Sequence, residues 1–230
     1  RNLEWGNLIQ LYNYLSILAA RSHGKSFESC FAFPLWRLYT YNKPALYMPD
    51  TIDNHNRKET LVITNTAKLG SEHLDKIVEE IKFNELFNEK LNPLNRAKLG
   101  NTGITTETGA KIHLRGIDGF FRGLHTGGVV ADDLPDESSI YSQEQREKLK
   151  DKFFGGITPI VEPGGHLLVT GTPYAEKDLY FNLREDPRFF TTEYPAIFPD
   201  GKLLSPDRFT FEKFMTEKTS LGNLISSREY

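Results

Sequence analysis

Short apolar runs alternate with longer amphipathic stretches along this chain. A short apolar run bounded by turn residues is typical of a buried strand, whereas apolar residues three and four positions apart are typical of a helix. The pattern predicts strands at residues 15–20, 44–48, 60–64, 129–131, 166–170 and 189–194. It predicts helices at residues 26–41, 66–83, 142–154, 178–183 and 206–220.

The clearest helical pattern lies in residues 66–83. Apolar residues recur there at helical spacing, so they form a stripe that we interpret as the face of the helix that contacts the core. The segment that follows, residues 84–103, is rich in asparagine and contains a proline, and we predict a surface excursion without regular structure. The stripe consists of Leu74, Ile77, Val78 and Ile81.

Turn and capping residues mark further boundaries. Ser142 followed by Gln145 forms a capping-box signal, which predicts that a helix begins there. Residues 155–156 are both glycine, and they are expected to end that helix. Residues 105–114 predict a hairpin that turns near Gly109.

Strands that alternate with helices predict the α/β fold class. The sheet is expected to be mainly parallel, with helices on both faces. A chain of 230 residues is long enough for one large domain with its own core, so we predict a single domain over residues 1–230.

A Gly-Lys-Ser turn at residues 24–26 follows the first predicted strand and precedes a helix. The N-terminus of a helix presents unpaired N–H groups and a partial positive charge, which together suit a phosphate. Gly24 would let the backbone approach the phosphates, Lys25 would contact the β- and γ-oxygens, and Ser26 would bind Mg²⁺. Taken alone, the tripeptide is equally consistent with an ordinary solvated turn.

Two carboxylates follow the strand at residues 129–131. Ligands of open α/β sheets lie at the carboxyl ends of the strands, so Asp132 is expected to face the same crevice as Lys25. Asp132 would hold Mg²⁺, and Asp133 would orient or activate the attacking water. The alternative interpretation is an acidic surface turn.

The strand at residues 166–170 ends in small hydroxyl residues and a tight turn. Thr170 and Thr172 would lie close to the γ-phosphate or to the attacking water. The alternative is a buried strand with a turn at Gly171 and no chemical role.

Together, these segments resemble the ATPase domain of the large terminase subunit, the DNA-packaging motor of tailed bacteriophages. That family has a deviant phosphate loop that carries an arginine and often lacks the first glycine, and this chain has Arg21 in the loop and Ala19 at the glycine position. Residues 129–133 match its metal-binding strand, and residues 168–173 resemble its coupling motif. Residues 222–230 resemble the point at which the ATPase domain gives way to a nuclease domain.

The resemblance implies the P-loop NTPase fold of the additional-strand catalytic-glutamate type, with ATP and Mg²⁺ as ligands. It also implies residue roles. Asp133 stands where many members have glutamate, which leaves Glu137 as a second choice for the base. Arg122 stands at the position of the family's arginine finger, although the residue alone reads as a surface arginine. The implied metal ligands are Ser26 and Asp132, and the implied catalytic residues are Asp133 and Arg122. The implied coupling motif consists of Thr170, Gly171 and Thr172. The implied ATP-binding residues are Arg21, Ser22, His23, Gly24, Lys25 and Ser26.

The implied function is an ATP-hydrolysing motor that translocates double-stranded viral DNA into a procapsid in the host cytoplasm. The implied partners are DNA, a portal protein and a small terminase subunit, with a homo-oligomeric ring on the procapsid and a monomer in isolation. The chain begins with Arg1 and ends at Tyr230, so we expect a fragment from which the C-terminal nuclease domain, and its activity, is absent. Two alternatives remain: a helicase-like or repair DNA translocase, and a nucleotide-binding switch without efficient hydrolysis.

Composition narrows these alternatives only slightly. The formal net charge of −3 argues against DNA binding through bulk electrostatics, so a few basic residues on one face would have to suffice. No apolar run approaches the length of about 20 residues that a membrane helix requires. The candidate DNA-contacting residues are Lys98, Lys111, Arg115 and Lys152, although a solvated surface charge is the favoured interpretation of each.

The remaining candidate residues have structural interpretations. The single cysteine, Cys30, excludes an internal disulfide and is expected to be a packed core thiol. The six histidines show no metal-ligand spacing along the sequence. Trp5, Gln10 and Tyr12 precede the first strand and are candidates for binding adenine, with ordinary packing as the alternative for Trp5 and Tyr12.

Overall fold

A seven-stranded sheet forms the centre of the molecule. The computed structural model describes residues 2–40, 58–91, 103–106, 109–136, 141–173 and 177–221. The strands are β1 (Tyr14–Ala19), β2 (Glu59–Thr64), β3 (Gly103–Thr105), β4 (Lys111–Gly116), β5 (Thr126–Asp132), β6 (Val161–Gly171) and β7 (Phe190–Tyr194). Their order across the sheet is β3-β4-β2-β5-β6-β1-β7.

The sheet is parallel except at one edge, where β3 pairs antiparallel with β4. Strand β6 is inserted between β1 and β5, so the strand that precedes the Gly-Lys-Ser turn does not pair with the strand that ends in Asp132. Because these three strands are parallel, their carboxyl ends meet at the same edge of the sheet. The predicted α/β class and mainly parallel sheet are confirmed.

Seven helices lie in the described part of the chain. The second of them, α2, runs continuously over residues 25–40 as an α-turn (Lys25–Phe27), a π-helical turn (Glu28–Ala32) and an α-helical segment (Phe33–Thr40). None of these helices is long and apolar enough to cross a membrane. The others are α1 (Asn2–Leu11), α3 (Ala67–Phe83), α4 (Glu85–Leu91), α5 (Gln143–Lys152), α6 (Leu179–Glu185) and α7 (Phe211–Leu221).

The helices cover both faces of the sheet, as predicted. Side chains of a strand alternate between the two faces, and β5 shows this clearly. Val130 packs in a cluster with residues of α1, α2, α3 and α4. Val129 and Ala131 pack in a second cluster with Phe153, at the end of α5, and with α6. The same alternation directs Asp132 toward the face that α2 covers, and this determines the surroundings of its carboxylate.

Several local predictions are confirmed by capping contacts. Thr66 caps α3 by accepting a hydrogen bond from the N–H of Leu69, and the predicted core face of that helix is buried except at Val78, which is partly buried. Ser142 caps α5 by accepting from the N–H of Gln145. The predicted hairpin is formed by β3 and β4, and Gly109 has a φ of 81° in the turn between them.

Other predictions were wrong, or fall outside the described residues. Helix α1 was not predicted, and α4 lies inside the segment that was expected to be irregular. Residues 155–156 do not end the helix that follows Ser142, because the chain continues through both glycines as a π-helical turn, Phe153–Ile157. The buried side chains at both ends of that turn explain why it persists. The predicted strand at 44–48 lies outside the described residues.

Candidate active site

The phosphate-loop candidate connects the carboxyl end of β1 to α2. The backbone reverses through two residues with left-handed conformations, Ser22 (φ 62°) and Gly24 (φ 87°). A left-handed conformation is uncommon for a residue other than glycine, so Ser22 marks a strained position. Arg21 and Ser22 are exposed. The exposed turn therefore leads directly into the N-terminus of a helix, as the sequence predicted.

Lys25 is buried and joins the loop to the end of β6. Its Nζ donates to the carbonyl oxygens of Ala19 (2.8 Å) and Ala20 (3.1 Å) and to Oγ1 of Thr172 (2.9 Å). A buried ammonium group requires such partners. The ammonium group therefore lies at the edge where the three parallel strands end.

Asp132 is 1% exposed and hydrogen-bonded to neighbours on two elements. Its Oδ1 accepts from Ser29 Oγ of α2 (3.2 Å) and from Thr170 Oγ1 of β6. Its other oxygen, Oδ2, is buried and makes no hydrogen bond of normal geometry with a described residue. Ser26 makes no hydrogen bond to Asp132, so shared binding of Mg²⁺ by these two residues stays a prediction.

Asp133 lies beside the phosphate loop. Its N–H donates to the Thr170 carbonyl oxygen (2.9 Å), its Oδ1 accepts from the N–H of Thr172 (3.2 Å), and its backbone is left-handed (φ 44°). Burial, followed by the neighbouring charge of Asp132, raises its pKa to about 6, although the charges of Lys25 and Arg21 lower it. A carboxylate with a pKa near neutrality is suited to accept a proton from water.

Glycine is required at position 171 for packing. A Cβ atom at Gly171 would lie 1.8 Å from Oη and 2.1 Å from Cζ of Tyr180, whose side chain is fully buried in α6. Thr170 and Thr172, on either side, make the contacts to Asp132 and Lys25 described above. The small residue therefore lets α6 pack closely against the strand that carries both threonines.

We expect Gly171→Ala to lower the free energy of unfolding by about 1–3 kcal/mol, because the added methyl group must displace Tyr180. Urea unfolding measures the change. Gly155→Ala is the matched control, since nothing lies within 4 Å of a Cβ atom at Gly155. Equal stability of the two variants would contradict this packing role.

No contact among the described residues places Arg122 near the phosphate loop of its own chain. It is exposed on the connection between β4 and β5, and it makes no hydrogen bond or ion pair with the described residues. Both β4 and β5 run parallel to β2. The connection between them therefore runs from the carboxyl ends of the strands back to their amino ends. The finger role stays a prediction. Glu137, the second choice for the base, lies outside the described residues.

The other residues that were candidates for nucleotide contacts interact with residues of their own chain. The ring of His23 is fully buried, with Nδ1 at 2.7 Å from the Arg21 carbonyl oxygen, and it packs against Phe209. Trp5 is fully buried with its ring edge against Tyr194, and the ring of Tyr12 stacks on Phe190. Ordinary packing therefore accounts for both aromatic residues. Gln10 is exposed and donates to the Gly6 carbonyl oxygen.

The described candidates for DNA contacts also have protein partners. Lys111 pairs with Glu59 at 2.6 Å, and Lys152 pairs with Asp118 at 3.2 Å. The guanidinium group of Arg115 donates to the Phe120 carbonyl oxygen. The fourth candidate, Lys98, lies outside the described residues. The structure therefore favours none of them as a DNA contact.

Ser29 is a site residue that the sequence reasoning missed. It is fully buried, and its Oγ lies 3.1 Å from the Lys25 carbonyl oxygen, 3.2 Å from Oδ1 of Asp132 and 2.9 Å from Oγ1 of Thr170, so its single proton can be donated either to the carbonyl oxygen or to the carboxylate. A polar residue one helical turn after Lys25, on an otherwise apolar helix face, was the signal that could have identified it. Ser29 links the helix of the phosphate loop to both neighbouring strand ends.

We expect Ser29→Ala to lower the free energy of unfolding by about 1–3 kcal/mol, because a buried carboxylate loses a donor. The matched control is Ser16→Ala. Ser16 is equally buried, but its Oγ has no hydrogen-bond partner among the described residues, so its loss should be nearly neutral. Urea unfolding of both variants tests the difference, and a Ser29 variant as stable as the control would argue against the predicted role.

Comparisons with known proteins agree with this geometry. No protein-family model matches the chain. The large terminase subunit of Enterobacteria phage T3 is 27% identical over 190 residues, which cover 80% of this chain and 30% of that protein. The chain therefore spans about a third of the length of this curated relative.

Solved structures of large terminases share the fold. The ATPase domain of the Thermus phage P74-26 large terminase superposes with a TM-score of 0.56 at 15% identity, over 96% of this chain and 91% of that one. The large terminase of a thermophilic bacteriophage gives a TM-score of 0.55 at 10% identity, over 96% and 48%. The predicted P-loop NTPase fold with an additional strand is confirmed, because the chain has the fold of large-terminase ATPase domains, and its sequence is similar to that of a large terminase subunit.

Proposed function

We propose that this chain is an ATP-hydrolysing motor domain that translocates double-stranded viral DNA into a procapsid. The observation that supports this most strongly is the convergence of Lys25, Asp133 and Thr172 from the ends of β1, β5 and β6. A phosphate-binding lysine, a carboxylate of raised pKa and a hydroxyl group are thus joined at one edge of the sheet. The similarity to a large terminase subunit supports double-stranded DNA as the molecule that the motor would move.

Binding of the triphosphate would use the loop and the first turn of α2. The backbone N–H groups at the N-terminus of α2 would donate hydrogen bonds to phosphate oxygens. Lys25 would exchange one of its carbonyl partners for a β- or γ-oxygen, and the exposed Arg21 would contact the γ-phosphate. The unusual residues of the loop are consistent with this, because Ala19 is part of β1 and needs no glycine conformation.

The residues present fit a magnesium ion. Hydroxyl and carboxylate oxygens are the ligands that Mg²⁺ prefers, and Ser26, Asp132 and Asp133 supply them. Burial, and then the neighbouring charge of Asp132, raise the pKa of Asp133, so a divalent cation would offset the repulsion between the two carboxylates. Ser26 and Asp132 would hold the ion, partly through water. When bound, Mg²⁺ neutralises charge on the phosphate oxygens.

Asp133 would orient the attacking water and accept its proton. The N–H of Thr172 holds one carboxylate oxygen, so the side chain is positioned by the same strand that contacts Lys25. Movement of Thr172 would therefore change the surroundings of both residues. This arrangement supports a coupling role for Thr170, Gly171 and Thr172, in which the state of the nucleotide is transmitted to β6.

The finger would act between subunits. Arg122 is exposed and makes no contact with its own phosphate loop, so we propose that it completes the active site of a neighbouring copy in a ring. Contacts with a portal protein and a small terminase subunit belong to the same proposal and rest on the resemblance. An arginine finger increases turnover by about 10³–10⁵-fold.

ATP hydrolysis measured over a wide range of protein concentrations, with and without double-stranded DNA, tests this function. We expect specific activity to rise with protein concentration in the wild type and to stay at the low basal value in Arg122→Ala. Arg146→Ala, which changes an arginine of α5, is the control. Activity that depends on neither concentration nor Arg122 would indicate a self-contained ATPase. ATP binding without hydrolysis at any concentration would indicate a nucleotide-binding switch.

A further inference from the structure

Three side chains that can bind metal ions meet on the α2 face of the sheet. Cys30 belongs to the π-helical turn of α2, His73 belongs to α3, and Asp132 ends β5. One ligand atom from each lies within 4.8 Å of the other two. The three residues are distant in sequence, so their proximity is produced by the packing of two helices on one strand.

The carboxylate of Asp132 is held in a fixed orientation with one oxygen available. Oδ1 accepts hydrogen bonds from Ser29 and Thr170, whereas Oδ2 makes no hydrogen bond of normal geometry with a described residue. Asp132 is 1% exposed, and a buried polar oxygen costs free energy unless it has a partner. A cation bound at Oδ2 would supply it.

The π-helical turn of α2 contributes two of the residues that lie close to the carboxylate of Asp132. In this turn the N–H of Phe33 donates to the Glu28 carbonyl oxygen, which adds one residue to the helical turn. Ser29 and Cys30 both lie in it, and Ser29 binds Oδ1 of Asp132 while Cys30 lies in the metal-ligand cluster with that carboxylate. Such turns are frequent at functional sites. The local irregularity of α2 therefore coincides with the cluster.

The three ligand types select the class of ion. A thiolate, an imidazole and a carboxylate suit a borderline ion such as Zn²⁺, whereas Mg²⁺ prefers oxygen ligands alone. Three protein ligands leave a fourth position for water. His73 is only half buried, so it provides a route of entry from solvent.

We propose that Cys30, His73 and Asp132 form a binding site for one Zn²⁺-class ion. Cys30 would bind as the thiolate, and its proton would be released to solvent. His73 would bind through the lone pair of a neutral ring nitrogen. Without the ion, burial and then the charge of Asp132 raise the pKa of the Cys30 thiol well above its usual value, so the thiol is protonated. The ion replaces that proton.

Occupancy would regulate the proposed active site. Asp132 is shared between this cluster and the Mg²⁺ position, so an ion at Oδ2 would hold the carboxylate away from the nucleotide. We therefore expect Zn²⁺ to slow ATP hydrolysis. This consequence rests on the proposed function, whereas the binding of the ion does not.

Titration of the metal-free, tag-free and reduced protein with Co²⁺ tests the site directly. Cys30 is the only cysteine, so a thiolate-to-Co²⁺ charge-transfer band in the near ultraviolet can arise only there. We expect the band to saturate at one Co²⁺ per chain, to disappear when Zn²⁺ is added, and to persist in excess Mg²⁺. The absence of the band from the folded wild type would overturn the proposal.

Two variants and a matched control assign the ligands. Cys30→Ser, a nearly isosteric change, should abolish the band, and His73→Gln should abolish it or shift saturation to a large excess of Co²⁺. His125→Gln is the control, because His125 is exposed and pairs with Glu162 at 3.2 Å. A band unchanged in His73→Gln would overturn the proposed ligand set. If His73→Gln is unfolded by circular dichroism, His73→Asn replaces it.

The hydrolysis assay separates this proposal from the proposed function. Zn²⁺ should inhibit the wild type and should inhibit His73→Gln much less. If no preparation hydrolyses ATP, the proposed function fails, and the Co²⁺ titration still decides whether the site exists. A Co²⁺ band without zinc inhibition of an active enzyme would overturn the regulatory role alone.

Discussion

Replacing Lys25 with alanine should lower the rate of ATP hydrolysis by at least about 10²–10³-fold, because a charge aimed at the phosphates is removed from a buried site. Binding of ATP should weaken as well, since the same charge contacts the ground-state triphosphate. Steady-state hydrolysis and equilibrium binding of a fluorescent ATP analogue measure the two effects.

The structure complicates one aspect of this experiment. Lys25 also joins β1 to β6 through Ala19 and Thr172, so its loss removes structural hydrogen bonds together with the phosphate contact. The melting temperature of each variant must therefore accompany its rate. Lys68→Ala is the control, because Lys68 is exposed on α3. Rapid hydrolysis by a folded Lys25→Ala protein would exclude the loop as the phosphate site.

Replacing Asp133 with asparagine should separate ATP binding from hydrolysis. Asparagine is similar in size to aspartate and can still accept the hydrogen bond from Thr172, but it cannot accept a proton. We expect the rate to fall by roughly 10²–10⁴-fold while ATP binding is retained. Asp75→Asn, on the exposed side of α3, is the control. Undiminished hydrolysis would remove Asp133 from the catalytic residues.

The same substitution should stabilise the protein at neutral pH. The pKa of Asp133 is about 6 in the folded state, above its ordinary value of 3.8, so folding disfavours the charged form. The folded state then binds more protons than the unfolded state between these two values, and its stability falls as pH rises through that window. The cost is fully present above about pH 6 and absent below about pH 4.

We therefore expect Asp133→Asn to raise the free energy of unfolding at pH 7–8, on the order of 1–3 kcal/mol, and to change it little near pH 4. Urea unfolding at the two pH values measures the difference. In the wild type, kcat/KM, which reports ionisations of the free enzyme, should decline as pH falls below about 6, because the base becomes protonated. A gain in stability of the same size at both pH values would contradict the assigned pKa.

Local sequence signals predicted much of the fold because they depend on near neighbours. The apolar runs at residues 60–64 and 129–131 identified β2 and β5, the helical spacing of apolar residues identified α3, and the capping residue Ser142 identified the start of α5. Helix α1 was missed because its apolar residues form no clear stripe, and Trp5 is buried through tertiary contacts, among them the ring of Tyr194 in β7. The turn Phe153–Ile157 persists through two glycines for a similar reason, since buried side chains hold it.

The sequence by itself determined the α/β class, through the alternation of strand and helix patterns, and the positions of the Gly-Lys-Ser turn after β1 and of the two carboxylates at the end of β5, because these signals are local. Only the tertiary structure decided which groups meet. The insertion of β6 between β1 and β5 places Thr172 against Lys25, and the face of β5 directs Asp132 toward Ser29. Spacing along the sequence could not reveal the cluster of Cys30, His73 and Asp132, because a contact between distant residues is set by how helices and strands pack.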